Sequence, residues 1–144
     1  MIRELGPGET NLAYDAMLEL RPRIGSEADF VRVVDSTQRA QGFRLAGSFD
    51  DDEQAAAVAG FRVIDYLAWG HALYCDDLST RANYRGRGHA GALMDWMIEE
   101  ARRLGCREFH LDSGVGPDRT TCTSTRACES RLITSRARFE RDLK

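Results

Sequence analysis

The segment Tyr84-Arg85-Gly86-Arg87-Gly88-His89-Ala90-Gly91 is a glycine-rich turn in the second half of the 144-residue sequence. The run before it, Leu73 to Thr80, is apolar and then polar, which is typical of a strand that ends at the turn. Gly105 and the alternating run Phe109 to Ser113 predict a helix end and a second strand. Between the turn and Gly105, apolar residues recur at the spacing of one helix face: Ala90, Leu93, Met94, Met97, Ala101 and Leu104. The sequence therefore predicts a unit of strand, glycine-rich turn, helix and strand.

The glycine-rich turn has the features of a phosphate-binding site. Gly86 and Gly88 allow positive φ and let the backbone approach a ligand closely. The first amides of the following helix have no intrahelical partners, and the helix dipole adds positive potential there. Arg85 and Arg87 increase that potential. A diphosphate group would be held well at this position.

Two other interpretations of the turn stay open on these features alone. The first is a surface loop whose two arginines are simply solvated. The second is a dinucleotide site, because Gly86-x-Gly88-x-x-Gly91 matches GxGxxG and Asp112 follows about 20 residues later at a strand end. Against a dinucleotide site, the chain shows no second mononucleotide-binding half. The polar segment Ser79 to Arg85 also separates the motif from its strand.

The hexapeptide Arg85-Gly86-Arg87-Gly88-His89-Ala90 resembles the R/Q-x-x-G-x-G/A signature of the GNAT family of N-acetyltransferases. The resemblance is best from Leu73 to Ser113, is consistent over the N-terminal half and is poor after Arg119. It implies an α/β (α+β) fold with a mixed, largely antiparallel twisted sheet and two N-terminal helices. In that fold a central β-α-β unit binds acetyl-CoA.

The resemblance also implies which residues contact acetyl-CoA. In the family, the signature loop binds the pyrophosphate, which corresponds here to Arg85, Gly86, Arg87, Gly88, His89 and Ala90. The backbone at the end of the preceding strand contacts the acetyl and pantetheine arm, which corresponds to Leu78, Ser79 and Thr80. This second correspondence depends on position alone, because backbone groups need no particular side chain.

The implied activity is N-acetylation, in which a primary amine of a small molecule or peptide attacks acetyl-CoA directly. Tyr74 to Leu78 looks like the strand of polyamine-type members, in which the first of two carboxylates is the base. Asp76 is therefore the first candidate base and Asp77 the second, although those members usually carry a longer Glu. Side-chain alternation along a strand predicts that Asp76 and Asp77 point to opposite faces. Without the resemblance, both are ordinary strand-end carboxylates.

Two helices are predicted in the N-terminal half, after a short strand from Ile2 to Leu5. Apolar spacing marks the first from Leu12 to Leu20, and Pro22 stops it. A capping box of Ser26 and Asp29 opens the second, which Gly42 ends.

A β-hairpin is predicted next, with strands from Phe43 to Phe49 and from Ala55 to Ile64. The loop Asp50-Asp51-Asp52-Glu53 between them is acidic. Such a loop either attracts a cationic substrate or is a solvated hairpin tip, and solvation is the commoner case. Tyr66 and Trp69 follow as core or pocket-lining residues.

The chain departs from the family after Arg119. Residues 120–131 are rich in Thr and Ser and poor in apolar residues, where the family has an apolar helix carrying a tyrosine that protonates the CoA thiolate. No tyrosine follows Tyr84, so the proton donor is not assigned, and a shifted reading frame is one hypothesis for this segment. A second functional hypothesis is thus a non-catalytic acyl-CoA-binding or regulatory domain of the same fold. Only the enzyme releases CoA when given amines.

Composition favours one domain spanning residues 1–144, since 42% of residues are hydrophobic and 30% are charged. A net charge of −3 argues against nucleic acid as a partner. No apolar run predicts a membrane helix and the first residues do not resemble a signal peptide, so a cytoplasmic protein is expected. The three histidines and four cysteines lack metal-ligand spacing, so no metal is expected and the cysteines are predicted to be buried thiols. A homodimer is a family expectation.

Overall fold

The computed structural model of the protein describes residues 1–113 and 133–138. The strands are β1 (Ile2–Glu4), β2 (Arg44–Ser48), β3 (Ala57–Tyr66), β4 (Gly70–Thr80), β5 (Glu108–Ser113) and β6 (Ile133–Arg138). The α-helices are α1 (Tyr14–Leu20), α2 (Glu27–Val33) and α3 (His89–Arg103). Short helical turns lie at Thr10–Ala13, Val34–Gln38, Arg39–Gln41 and Ala82–Tyr84.

The strands form one mixed sheet in the order β1 to β6. Neighbours are antiparallel except β4 and β5, which are parallel because α3 returns the chain to the same end of the sheet. This topology, with two helices before β2 and a central strand–helix–strand unit, confirms the predicted fold class. The described residues contain one parallel pair only, whereas a dinucleotide fold is built on a mostly parallel sheet, so the dinucleotide interpretation loses its structural basis.

The helix ends follow signals in the sequence. Ser26 Oγ accepts a hydrogen bond from the Asp29 amide (3.2 Å), and the Asp29 carboxylate accepts one from the Ser26 amide (3.3 Å), which confirms the capping box. The helical run from α2 continues through two short turns to Gly42, which has a φ of +86°. Gly88 (φ +85°) immediately precedes α3, and Gly105 (φ +72°) lies just beyond its end, as predicted.

Helices cover both faces of the sheet. α3 packs on one face, where the best-buried side chains are Phe61, Leu73, Leu93, Met97 and Phe109. α1 and α2 pack on the other, where they bury Leu5, Met17, Phe30, Phe43, Leu45 and Val58. Ser79 Oγ donates to the Ala16 carbonyl (2.6 Å), which holds α1 against the end of β4. The end of β4 therefore lies between α1 and the start of α3.

A buried carboxylate fixes α3 across the sheet. Glu100 accepts hydrogen bonds from Arg44 on β2 (2.7 Å) and from Arg103 one turn away (2.7 and 2.8 Å). The bonds from Arg103 and then Arg44 lower the pKa of Glu100 to about 2, against the opposing effect of burial. Glu100 is therefore charged at neutral pH, and its ion pairs anchor the helix whose first turn follows the glycine-rich turn.

Cys75 and Cys106 are buried free thiols, as predicted, and burial raises the pKa of Cys75 to about 12. Cys122 and Cys128 lie outside the described residues, as does the atypical segment 120–131. Among residues 1–113 and 133–138, no helix has the length and apolar character needed to cross a membrane.

Candidate functional site

β4 and β5 separate halfway along β4. Their parallel pairing runs from Ala72 opposite Glu108 to Cys75 opposite Leu111 and stops there, whereas β4 continues to Thr80. The other edge of β4 stays paired with β3 to its end. The second half of β4 thus has an edge that no other described strand pairs with, and this edge leads directly to the glycine-rich turn.

The main-chain groups of Leu78 and Thr80 point toward this open edge. The Arg81 amide donates to the Ala56 carbonyl on β3 (2.9 Å), and the direction of N–H and C=O groups alternates along a strand. Those of Leu78 and Thr80 therefore face away from β3, and those of Ser79 face toward it. Of the three strand-end residues selected from the sequence, Leu78 and Thr80 offer backbone groups at the opening, while Ser79 is engaged with β3 and α1.

The glycine-rich turn is open and has free amides. Gly86 (φ +78°) and Gly88 (φ +85°) both adopt the left-handed conformation, and a Cβ placed on either would meet no atom within 4 Å. The first backbone hydrogen bond of α3 runs from the Ala92 amide to the Gly88 carbonyl (3.0 Å). The amides before Ala92 therefore have no helical partner, which is the arrangement that binds anions at helix N-termini.

Arg85 and Arg87 place two partly exposed guanidinium groups beside these amides. Arg85 Nε donates to the Thr80 carbonyl (3.3 Å), so this side chain lies back along the end of β4. The turn also borders a pocket of about 420 Å³ lined by Met1, Ile2, Ser48, Arg87, Gly88, His89 and Ala92. Positive charge, free amides and space thus occur together at the start of α3.

The His89 ring faces β2 rather than the open side of the turn. Its Nδ1 lies 2.8 Å from Ser48 Oγ, and the side chain is only 11% exposed. His89 therefore anchors the first turn of α3 to the sheet and offers a backbone amide to a ligand. His89 and Ala90 are the last two residues of the signature segment Arg85 to Ala90, and both lie in the first turn of α3.

The acidic loop after β2 contacts the glycine-rich turn, in contrast to the solvated hairpin tip that we considered the commoner case. Arg87 Nη1 donates to Asp50 Oδ2 (3.2 Å), and the Tyr84 hydroxyl donates to Asp51 Oδ1 (2.9 Å). The Asp50 carboxylate also lies 3.4 Å from His89 Nε2. The physical reason is charge complementarity: the turn is basic and the loop lies within reach of it. These carboxylates oppose the positive potential that a diphosphate needs.

Replacing Asp50 with asparagine is expected to strengthen acetyl-CoA binding by about 2- to 5-fold. The change removes the charge that pairs with Arg87, and an exposed pair of this kind is worth about 0.2–1 kcal/mol. The matched control is Glu53→Gln, which removes the same charge from the same loop at a side chain with no ion pair among the described residues. Calorimetric titration of both variants measures the difference, and weaker binding by Asp50→Asn would mean that Asp50 positions Arg87 for the ligand.

Asp76 and Asp77 lie on the same face of the sheet, so the prediction of opposite faces is wrong. The register between β3 and β4 shifts at this point: Cys75 lies opposite Phe61, but Asp77 lies opposite Gly60. Asp76 is thus the extra residue of a β-bulge, which restarts the alternation. Both carboxylates therefore point to the α1 and α2 side of the sheet.

Each of the two carboxylates is paired with an arginine. Arg62 Nε donates to Asp76 Oδ2 (2.7 Å), and the guanidinium of Arg21, just after α1, contacts Asp77 Oδ1 through two nitrogens (2.6 and 2.8 Å). Asp76 Oδ1 has no hydrogen-bond partner among the described residues. Asp76 also stands at the point where β4 and β5 separate, directly after Cys75. Asp77 Oδ2 also has no hydrogen-bond partner among the described residues, so it is the position of Asp76 at the opening that favours it as the base.

Sequence reasoning missed one residue that links the parts of this site. Glu19 on α1 accepts a hydrogen bond from the Ala82 amide (2.8 Å) and lies 3.5 Å from Arg85 Nη2. It thereby ties α1 to the segment between β4 and the glycine-rich turn. Glu19 lies within the helix predicted from Leu12 to Leu20, and no local signal pairs it with residues more than 60 positions away.

A family model described as the acetyltransferase (GNAT) family matches residues 12–121 of the chain. The matched span includes β2 to β5, the bulge and the glycine-rich turn. The sequence matches no curated protein. Among the described residues, no group of three or more His, Cys, Asp or Glu side chains is arranged to hold a metal ion.

Solved structures with the same fold include a GNAT family acetyltransferase from Staphylococcus aureus, with a TM-score of 0.70 and 14% identity over 90% of this chain and 98% of that one. A ribosomal-protein-alanine N-acetyltransferase from Brucella melitensis has a TM-score of 0.70 and 13% identity over 90% and 99% of the two chains. A predicted acetyltransferase of Clostridium acetobutylicum with acetyl-CoA has a TM-score of 0.60 and 18% identity over 77% and 79%. At these identities the likeness establishes the fold.

Proposed function

The chain belongs to the GNAT family of acetyltransferases, and from this we infer that it transfers the acetyl group of acetyl-CoA to a primary amine of a small molecule or peptide. The observation that carries the proposal is the open edge of β4 leading to the free amides at the start of α3. One of the structures with this fold contains acetyl-CoA. The long, thin shape of that substrate suits an open strand edge that ends at an anion site.

Acetyl-CoA would bind through both parts of this opening. The diphosphate would lie on the turn Arg85 to Ala90, where helix amides and two guanidinium groups favour negative charge. The pantetheine amides would pair with the main-chain groups of Leu78 and Thr80, as an added strand does at a sheet edge. This arrangement brings the thioester to the point where β4 and β5 separate, next to Asp76.

The reaction is a direct acyl transfer. The amine nitrogen attacks the thioester carbonyl, the C–N bond forms, and the C–S bond breaks to release CoA as a thiolate. The ammonium form of the acceptor must first lose a proton, which Asp76 Oδ1 accepts directly or through one water. The nitrogen loses its second proton as the amide forms, and the thiolate takes up one proton, so the products are the amide and CoA with a free thiol; the group that carries this second proton is not assigned. No metal or second co-substrate is needed to balance the step.

Release of free CoA in the presence of amines tests the proposal. Purified protein is incubated with acetyl-CoA and a panel of primary amines, and thiol formation is followed against a no-amine control. Turnover with at least one amine is the expected result. If acetyl-CoA binds without turnover across the panel, the non-catalytic acyl-CoA-binding domain predicted as the alternative replaces the enzyme.

A further inference from the structure

Three aromatic side chains lie together beside Asp76, and we name them the aromatic patch: Tyr66, Trp69 and Tyr74. The rings of Tyr66 and Trp69 are 4.8 Å apart between centroids, and those of Trp69 and Tyr74 are parallel within 3° at 6.5 Å. All three are partly exposed. They surround the turn between β3 and β4 and lie on the α1 and α2 side of the sheet, the face that also carries Asp76.

The Trp69 indole is held in a fixed orientation. It stacks on His110 of β5 with centroids 3.7 Å apart and planes 15° apart, and His110 is only 2% exposed. His110 is itself bound to Glu108 through Nε2 (2.7 Å). Because the ring is already packed in one orientation, little side-chain conformational entropy is lost when a ligand binds to it.

The aromatic patch is continuous with the candidate base. Tyr74 and Asp76 are two residues apart on β4 and lie on the same face, a separation of about 6–7 Å along the strand. Burial and then the Asp76 carboxylate raise the pKa of the Tyr66 hydroxyl. A molecule with its nitrogen at Asp76 would thus rest its body on these rings.

The charges near Asp76 do not suit a polycation. The carboxylates of Asp76 and Asp77 are each matched by one guanidinium group, from Arg62 and Arg21. The pair of acidic residues that resembles polyamine-type members therefore carries no excess negative charge. Each carboxylate keeps one oxygen outside its ion pair, and the one beside the aromatic patch is Asp76 Oδ1. One carboxylate oxygen next to an aromatic surface recognises a single ammonium group attached to an aromatic or apolar body.

We propose that the acceptor is a primary amine carried a short distance from an aromatic group, with the aromatic group on Tyr66, Trp69 and Tyr74 and the nitrogen at Asp76. The inference rests on the proposed function and narrows its substrate class. Acetylation at that nitrogen forms the C–N bond, breaks the C–S bond of acetyl-CoA and delivers the ammonium proton to Asp76. The acceptor leaves as a neutral amide.

Steady-state kinetics with 2-phenylethylamine and spermidine test the acceptor class. We expect a lower KM for 2-phenylethylamine, and roughly a tenfold rise in that KM in Trp69→Ala with kcat changed less than about threefold. Trp69→Phe should restore most of the loss because it retains a ring. The matched control is Leu67→Ala, which removes a fully exposed side chain from the same turn and should change neither constant.

A binding measurement separates the failure of this inference from the failure of the proposed function. Trp69 and Trp96 are the two tryptophans of the sequence, so in a Trp96→Phe background the fluorescence reports on Trp69 alone. Saturable quenching by 2-phenylethylamine, with acetyl-CoA present, supports the aromatic site even where no turnover occurs. Preference for spermidine, equal KM values in Trp69→Ala and Leu67→Ala, or a flat fluorescence titration would overturn it.

Discussion

Replacing Asp76 with asparagine is expected to lower kcat for amine acetylation by about 10²- to 10⁴-fold, the usual contribution of a positioned general base. Asparagine has the same shape and can still accept the hydrogen bond from Arg62 Nε, which in the native protein goes to Asp76 Oδ2. It cannot take the proton that the ammonium form of the acceptor must lose before the amine attacks. The loss should therefore fall on kcat, while the acetyl-CoA dissociation constant measured by calorimetry stays within about twofold of the wild type.

Two further variants test whether the loss belongs to Asp76 as the base. Asp77→Asn removes the neighbouring carboxylate on the same face, but both arginine contacts of Asp77 fall on one oxygen and tie that residue to Arg21. We expect it to reduce kcat by less than tenfold, on the order of the loss of one ion pair. Asp76→Glu retains a carboxylate with a longer reach and should keep most of the activity.

Thermal unfolding of the same variants excludes a loss of structure as the cause. The Asp76–Arg62 pair is partly exposed, so its removal should cost about 1 kcal/mol and leave the protein folded at assay temperature. A large loss in Asp77→Asn with near-normal Asp76→Asn would reassign the base to Asp77. Near-normal kcat in both single variants would exclude this strand as the source of the base.

The helices and most strand positions could be predicted because their signals are local. The apolar spacing from Ala90 to Leu104 predicts an amphipathic helix. The observed helix, His89–Arg103, begins and ends within one residue of that prediction. The strand predicted from Leu73 to Thr80 is observed as β4, which ends at Thr80 as predicted and begins three residues earlier, at Gly70. Glycine at 86 and 88 supplied the positive φ values because other residues adopt that conformation only with strain.

The β-bulge could not be predicted from the sequence. Leu73-Tyr74-Cys75 alternates correctly, and nothing in the following Asp76-Asp77 pair signals an extra residue. The bulge lies where β4 pairs with β3: Gly60 stands opposite Asp77, and a Cβ on Gly60 would clash with the Phe43 ring. The packing of Phe43 on the β3 backbone is a tertiary contact that no local sequence pattern signals. The shared face of the two carboxylates therefore could not be predicted either.

The ion pairs around the glycine-rich turn were missed for a similar reason. Asp50 and Arg87 are 37 residues apart, and their contact depends on how the loop after β2 folds back over the start of α3. Sequence alone identified a basic turn and an acidic loop and gave no measure of their distance. Of the aromatic patch, the sequence analysis selected Tyr66 and Trp69 only. The contact of the patch with β5 could not be predicted, because it depends on the parallel pairing that places Tyr74 beside His110.

Replacing Gly88 with tryptophan is expected to abolish acetyl-CoA binding, a loss of at least about 100-fold in affinity. A Cβ at this position points into open space beside the free amides of α3, so the indole would fill the volume that the diphosphate needs. Loss of the close backbone approach alone removes several charge-assisted hydrogen bonds, each worth about 1.5–3 kcal/mol. Calorimetric titration with acetyl-CoA measures the effect, with NAD as a parallel ligand for which no binding is expected.

Gly42→Trp is a matched control because the two glycines have the same backbone strain. Gly42 has φ 86° and ψ 7°, Gly88 has φ 85° and ψ 4°, and neither would have a Cβ within 4 Å of another atom. A side chain in this conformation costs about 1–2 kcal/mol at either site, so the two variants should lose similar unfolding free energy. Only Gly88→Trp should lose the ligand. Equal acetyl-CoA affinity in the two variants would place the diphosphate elsewhere, and binding of NAD instead would restore the dinucleotide interpretation that the single parallel strand pair argues against.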